Sequence, residues 1–314
     1  SYLYETQQKG LERITDVGYV NPEQYMVLDL TARRNLELTQ TMRTGEKRGT
    51  LLWVLDKTKT AMGKRLLRSY LDKPLVNPAA INKRLNAVEE LVDDTILRRD
   101  IADALSGIFD LERLMTRVIY GNATPREFKS LEFTCRALPG LRERLAGCAS
   151  AYLKEVHDRI DPLEDVCGLL SRAVVDEPPI ALKDGGVIKE GFDEELDGLR
   201  SLVHNTKQVL VEIESREKER TGIRNLKIGY NRVFGYYIEV TRSNLSMVPD
   251  DYIRKQTLAN GERYITQELK ELEEKILTAG ERITYLEAKL FDEVREAVSA
   301  ELHRVQATAS AVAR

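Results

Sequence analysis

The sequence lacks several features that would place it in a familiar class. It contains no run of eighteen apolar residues, which excludes a membrane-spanning helix. The opening "SYLYETQQKG" has neither the basic nor the apolar part of a secretory signal, so a cytoplasmic location is expected. Cysteine and histidine are scarce and scattered. Cys135, Cys148 and Cys167, with His157, His204 and His303, match neither a disulfide framework nor a zinc pattern, which leaves the cysteines as small buried or surface residues. "TAMGKR" has the Gly-Lys pair of a phosphate loop at Gly63 and Lys64, but it lacks a glycine five positions earlier and a Ser or Thr after the lysine. The adjacent carboxylates Glu89–Glu90 and Glu194–Glu195 sit in charged helical stretches, where the expected role is a solvated face. No catalytic set and no metal set emerges.

What remains is a composition rich in helix formers. The 314 residues are 42% hydrophobic and 32% charged with nine prolines, enough for two or more soluble cores. Residues 1–175 read as successive helices. "LDLTARRNLELTQTMR" carries Leu30, Leu36 and Leu38 before two glycines break it, and "TLLWVLDKTKTAMGKRLLRSYLDKPL" resumes the pattern up to Pro74. Pro78 stands at a first-turn position, and Ile81, Leu85, Val88, Leu91, Val92, Ile96 and Leu97 then recur at helical spacing, predicting a core-facing stripe.

After the loop "DEPPIALKDGG" the pattern becomes more regular. Phe192, Leu196, Leu199, Val203, Thr206, Leu210 and Ile213 alternate spacings of four and three, the seam of a coiled coil. Ile265, Leu269, Leu272, Ile276, Ala279, Ile283, Leu286 and Leu290 repeat it. Two such helices separated by about forty other residues bury their narrow stripes most simply by folding back on each other. The predicted fold is therefore mainly α: a helical core with a long antiparallel, coiled-coil-like arm carrying a small antiparallel β domain at its tip. Within that insert, Leu226, Ile228 and Tyr230 alternate with polar residues, as do Tyr236, Ile238 and Val240 after "NRVFG", predicting a hairpin. A third strand is expected in "YIRKQTLANG".

The net charge is −3, yet between Ile223 and Ile265 seven basic residues face four acidic ones, a local +3 that leaves −6 for the rest. Asn231, Arg232 and Gly235 in one loop, and Asn260, Gly261 and Arg263 beside another, are donors of the kind that hold phosphate oxygens. The same residues also suit left-handed turn geometry with solvated arginines, and the residues alone leave both readings standing. Tyr230, Tyr236 and Tyr237 are expected to pack across strands, while Phe234 at a loop tip has little core to enter.

"NLKIGYNRVFGYYIEVT", followed by "YIRKQTLANGERYITQELKELEEKIL", closely resembles the clamp and returning lever helix of the MutS family of bacterial DNA mismatch-recognition proteins. "LDLTARRNLELTQTMR", "GTLLWVLDKTKTAMGKRLLRSYLDKPL" and "GGVIKEGFDEELDGLR" look like the core of the same family. The resemblance covers nearly the whole chain. It implies the end of a connector over 1–28, core and outgoing lever over 29–222, the clamp over 223–265 and the returning lever over 266–314. A family branch without the clamp is disfavoured by the presence of Asn225 to Ile265. The family's Phe-x-Glu wedge domain, Walker motifs and ATPase domain have no counterpart in the sequence, so the piece is expected to be neither an enzyme nor a cofactor binder.

The resemblance further implies that the intact protein is an ATP- and magnesium-dependent dimer. It would encircle double-stranded DNA in the cytoplasm at the nucleoid and recruit a repair partner of the MutL type. The clamp's share is contact with the DNA backbone through Asn231, Arg232, Val233, Phe234, Gly235, Thr257, Asn260, Gly261 and Arg263, without sequence preference. The piece alone is expected to be a monomer with no membrane partner. The rival reading is an arm whose β tip binds another protein, which predicts a contiguous apolar tip and little salt dependence.

Overall fold

The computed structural model describes residues 24–314, apart from Arg232, Phe234 and the side chain of Lys207. Among the described residues the helices are α1 Leu30–Asn35, α2 Leu51–Leu55, α3 Ala61–Asp72, α4 Pro78–Asp93, α5 Thr95–Ser106, α6 Leu111–Ile119, α7 Pro125–Leu145, α8 Ala151–Arg159 and α9 Glu164–Ala173. They continue with α10 Glu194–Thr221, α11 Gln267–Ala300 and α12 Leu302–Ala313. Four strands, β1 Lys227–Asn231, β2 Gly235–Thr241, β3 Ile253–Thr257 and β4 Gly261–Ile265, lie between α10 and α11. Two compact units result, one running up to Glu112 with Arg136–Pro162 and His303–Arg314, the other built from Arg113–Cys135 and Leu163–Leu302. None of the described helices is long and apolar enough to cross a membrane.

In the first unit, caps cut the expected helices shorter. Asp29 accepts from Ala32 N at 2.6 Å to start α1, but the chain leaves the helix after Asn35, and Glu37 adopts a left-handed φ of 44°. Thr50 and Thr60 cap α2 and α3 through Trp53 N at 3.1 Å and Gly63 N at 3.0 Å, dividing one apolar run into two helices. Pro78 starts α4 as expected, and Asn77 before it caps the helix. That helix packs on α8 and buries Ala87, and Ile81, Leu91 and Leu97 of the expected stripe are half-buried, but Leu85, Val88 and Val92, with Ile96 of α5, are 54–74% exposed, contrary to the expectation for those four. The neighbours α8 and α5 leave the side of α4 that carries Leu85, Val88 and Val92 uncovered.

The second unit holds the arm. At its root the rings of Phe128 and Phe291 meet at 4.8 Å, and Val174 bridges Ile188. Here α10 and α11 pack antiparallel, as the ion pairs Arg216–Glu268 and Arg200–Glu287 show by running in opposite order. The seam residues from Leu196 to Ile213 and from Leu269 to Leu290 are all buried or half-buried, in line with the four-three spacing. With 28 and 34 residues, the two helices are about 42 and 51 Å long at about 1.5 Å per residue. Glu287, 1% exposed, is held between Arg200 of α10 and Gly186 N, the latter at 2.7 Å. Arg200 also donates to Ile188 O at 2.8 Å, so one buried ion pair ties both arm helices to the loop before them.

The β domain has four strands rather than three, in the order β1-β2-β4-β3 and antiparallel throughout. One face carries Ile238, Val240 and Tyr264 onto Ile213 of α10 and Leu269 of α11, with Ile223, Leu226 and Tyr252 completing a separate core. Gly222, left-handed at φ 73°, ends α10, and Thr266 caps α11 through Leu269 N at 3.3 Å.

Candidate nucleic-acid interface

The strand register decides where the two loops lie. Thr241 pairs with Gly261, so the β3–β4 turn sits at the end of β2, whereas the β1–β2 loop sits at its start, six residues away. At about 3.3 Å per residue, the two loops are about 20 Å apart at opposite ends of the sheet. They cannot hold the same phosphate. Arg263 lies between them on the solvent face.

The first loop is tighter than "NRVFG" suggested, because Asn231 and Gly235 are themselves paired. The Asn231 side-chain oxygen accepts from Val233 N at 2.8 Å, an Asx turn. Gly235 has a left-handed φ of 74°, and a Cβ there would run into the Glu273 carboxylate of α11. Val233 is 79% exposed. Arg232 and Phe234, two of the expected contacts, lie outside the described residues. Burial, with Tyr230 and Glu273 nearby, pushes the Tyr236 phenol above its ordinary pKa, and its ring packs on Tyr230 at 5.0 Å across the strands as expected.

The second turn exposes Thr257 and Asn260. Leu258 N donates to Gly261 O at 2.8 Å, and Arg242 N donates to Asn260 O at 3.0 Å. Neither Asn260 nor Gly261 has a positive φ, so left-handed turn geometry accounts for Gly235 but not for these two. Gly261 is required for a different reason: its Cα faces the Val240 carbonyl oxygen with no room for a Cβ.

Arg263 is a strand residue rather than a loop donor. Its guanidinium lies 4.3 Å over the Tyr237 ring, donates to Glu239 at 3.0 Å and to Gln256 at 2.9 Å, and leaves the side chain 20% exposed. Tyr237 in turn covers Gly229, where a Cβ would stand 2.7 Å from its ring. Contact between Arg263 and a phosphate therefore competes with Glu239.

Two features were not anticipated from the sequence pattern. Glu217, at the seam position after Ile213, is buried where the arm meets the sheet and accepts from Tyr252 OH at 2.8 Å. Burial and that bond push the Tyr252 phenol well up. A charged residue in a seam position was the available signal. The second is a polar cluster at the β3–β4 end, in which Asn225 Nδ2 donates to Thr241 Oγ1 at 3.0 Å and Asn244 Nδ2 to Asn225 Oδ1 at 2.7 Å.

Comparison with known proteins points the same way. Residues 31–314 match the family model described as MutS domain III. The chain belongs to the MutS domain III family. The four-stranded sheet on its paired helices is thus part of a MutS core. The DNA mismatch repair protein MutS of Lachnoclostridium phytofermentans is 50% identical over 312 residues, covering 99% of this chain and 34% of that protein. Those of Desulforamulus reducens and Symbiobacterium thermophilum are each 50% identical, over 309 and 313 residues, and this chain covers 36% of either. The chain therefore spans about a third of the length of these MutS relatives.

Proposed function

We propose that this chain is the core, lever and clamp portion of a DNA mismatch repair protein, and that its β domain grips duplex DNA by the backbone without reading sequence. The observation that carries this reading is a locally cationic four-stranded domain, with two exposed loops at opposite ends of its sheet, mounted on a pair of long helices within a MutS domain III. Thr257 and Asn260 are the contacts at one end, where Gly261, expected as a contact, is instead buried against Val240 and shapes the turn. Asn231 and Val233, with Arg232 and Phe234, are those at the other, where Gly235 is buried and serves the turn, and Arg263 lies between. The arm helices, bound together at Arg200–Glu287, would carry a displacement of the clamp to the rest of a longer protein. In that longer protein ATP, magnesium, a second copy and a MutL-type partner enter the reaction; no catalytic role is assigned to this portion.

The test is titration of the chain with matched and mismatched duplexes at several salt concentrations. Equal binding to both, weakening with salt by about 0.9 in log–log slope for each phosphate engaged, is the expected result. A preference for the mismatch, or binding indifferent to salt, would sink the reading, and the latter would favour a protein-binding tip.

A further inference from the structure

We propose that the β3–β4 end of the clamp sheet carries an additional phosphate-contact point, in which Arg224 and Arg242 supply the charge and Asn225, held in place by Asn244, supplies a hydrogen bond through its second amide proton. The inference rests on the reading of the clamp as a DNA-backbone grip, and it adds contacts outside the two hairpin loops.

Three separated pieces of chain converge at this end. Asn225 precedes β1, Thr241 and Arg242 follow from β2, and Asn260 stands in the β3–β4 turn. The bonds Asn225–Thr241, Asn244–Asn225 and Arg242 N to Asn260 O join them. Thr241 Oγ1 also lies 3.3 Å from Ser243 Oγ and 3.4 Å from Asn244 Nδ2. Amide groups held this way are oriented before any ligand arrives, which removes much of the entropy otherwise lost on binding.

The placement of charge separates this end from the other. Most described arginines in and near the clamp already have carboxylate partners: Arg216 with Glu268, Arg220 with Asp251, Arg254 with Glu262 and Arg263 with Glu239. Arg224 and Arg242 are both exposed and have no such partner among the described residues. Each can meet a phosphate without breaking an ion pair, and a guanidinium suits two phosphate oxygens at once. Glu262, in register with Thr257, already accepts from Tyr264 OH at 2.6 Å. At the β1–β2 end the Glu273 carboxylate lies against Gly235 and opposes an anion. Among the described residues, the arginines without a carboxylate partner thus stand at the β3–β4 end of the sheet, where they can meet a phosphodiester backbone.

The experiment compares the chain with an Arg224→Ala, Arg242→Ala variant for binding to a random-sequence duplex, as affinity against salt. An Arg224→Lys, Arg242→Lys variant preserves the charge, and circular dichroism checks that all three fold. The expected result is a log–log salt slope flattened in the alanine variant by about 0.9 for each phosphate it no longer engages, with the lysine variant keeping most of the slope. If the unaltered chain binds with a salt-dependent slope and the alanine variant keeps that slope, the proposal is overturned and the clamp reading stands. If the unaltered chain fails to bind at the lowest salt, or binds without salt dependence, both fall together.

Discussion

Removing Arg200 puts the construction of the arm root to its most direct test. Glu287 is buried and receives two donors, Arg200 from α10 and the Gly186 amide. Arg200→Met keeps the aliphatic stem and removes the charge, leaving a buried carboxylate with one neutral donor. Breaking a buried pair by removing one partner costs about 3–5 kcal/mol, and the surviving Gly186 bond places this case near the lower figure. In a unit of this size, about 3 kcal/mol corresponds to a fall in Tm of roughly 6–12 °C. Calorimetry or urea unfolding of the chain gives the number, and hydrogen exchange at residues 185–188 shows whether the loop loosens with it. Adding Glu287→Leu to Arg200→Met removes the stranded charge and is expected to recover part of the loss. A loss under about 1 kcal/mol for Arg200→Met, the size of a solvated surface pair, would refute the buried lock.

Two further expectations follow from local geometry. Gly235→Ala places a Cβ against the Glu273 carboxylate in a left-handed backbone, so a loss of about 1–3 kcal/mol is expected, and addition of Glu273→Ala should return only the steric part; equal stability of Gly235→Ala and the unaltered chain would contradict the loop geometry. Bonds from Lys83 and Arg314 hold the Glu155 carboxyl at about 2, below its ordinary 4.5. A depressed carboxyl stabilises the fold above its unfolded value, and that contribution is lost as pH falls from about 4.5 towards 2. Acid unfolding of Glu155→Gln should lack this component, and an unchanged profile would refute it.

The legible parts of the fold were those set by period. Leu196 to Ile213 and Leu269 to Leu290 sit on one stripe because four-three spacing returns to the same side of a helix every two turns, and the structure buries them there. The α4 stripe shows the limit of the same logic. Leu85, Val88 and Val92 have helical spacing as good as any in the chain, but periodicity says which residues share a face and not whether another element covers it. β4 was invisible because "GERYI" is short, half polar and runs directly into a helical seam.

The sequence by itself determined the helix-rich class, the antiparallel arm, the presence of a small cationic sheet in its middle, and the family that the comparison confirms. These depend on local propensity, spacing and composition, which short stretches of chain carry on their own. Only the tertiary structure decided which donors are free. Arg263 and Arg242 look alike in sequence, but β-sheet register sets Glu239 and Tyr237 beside the first, and among the described residues no carboxylate pairs with the second. Register likewise set the two loops at opposite ends of the sheet. A one-residue shift in strand pairing would turn every side chain to the other face, so the pairing partner and not the residue type fixes what each arginine can reach.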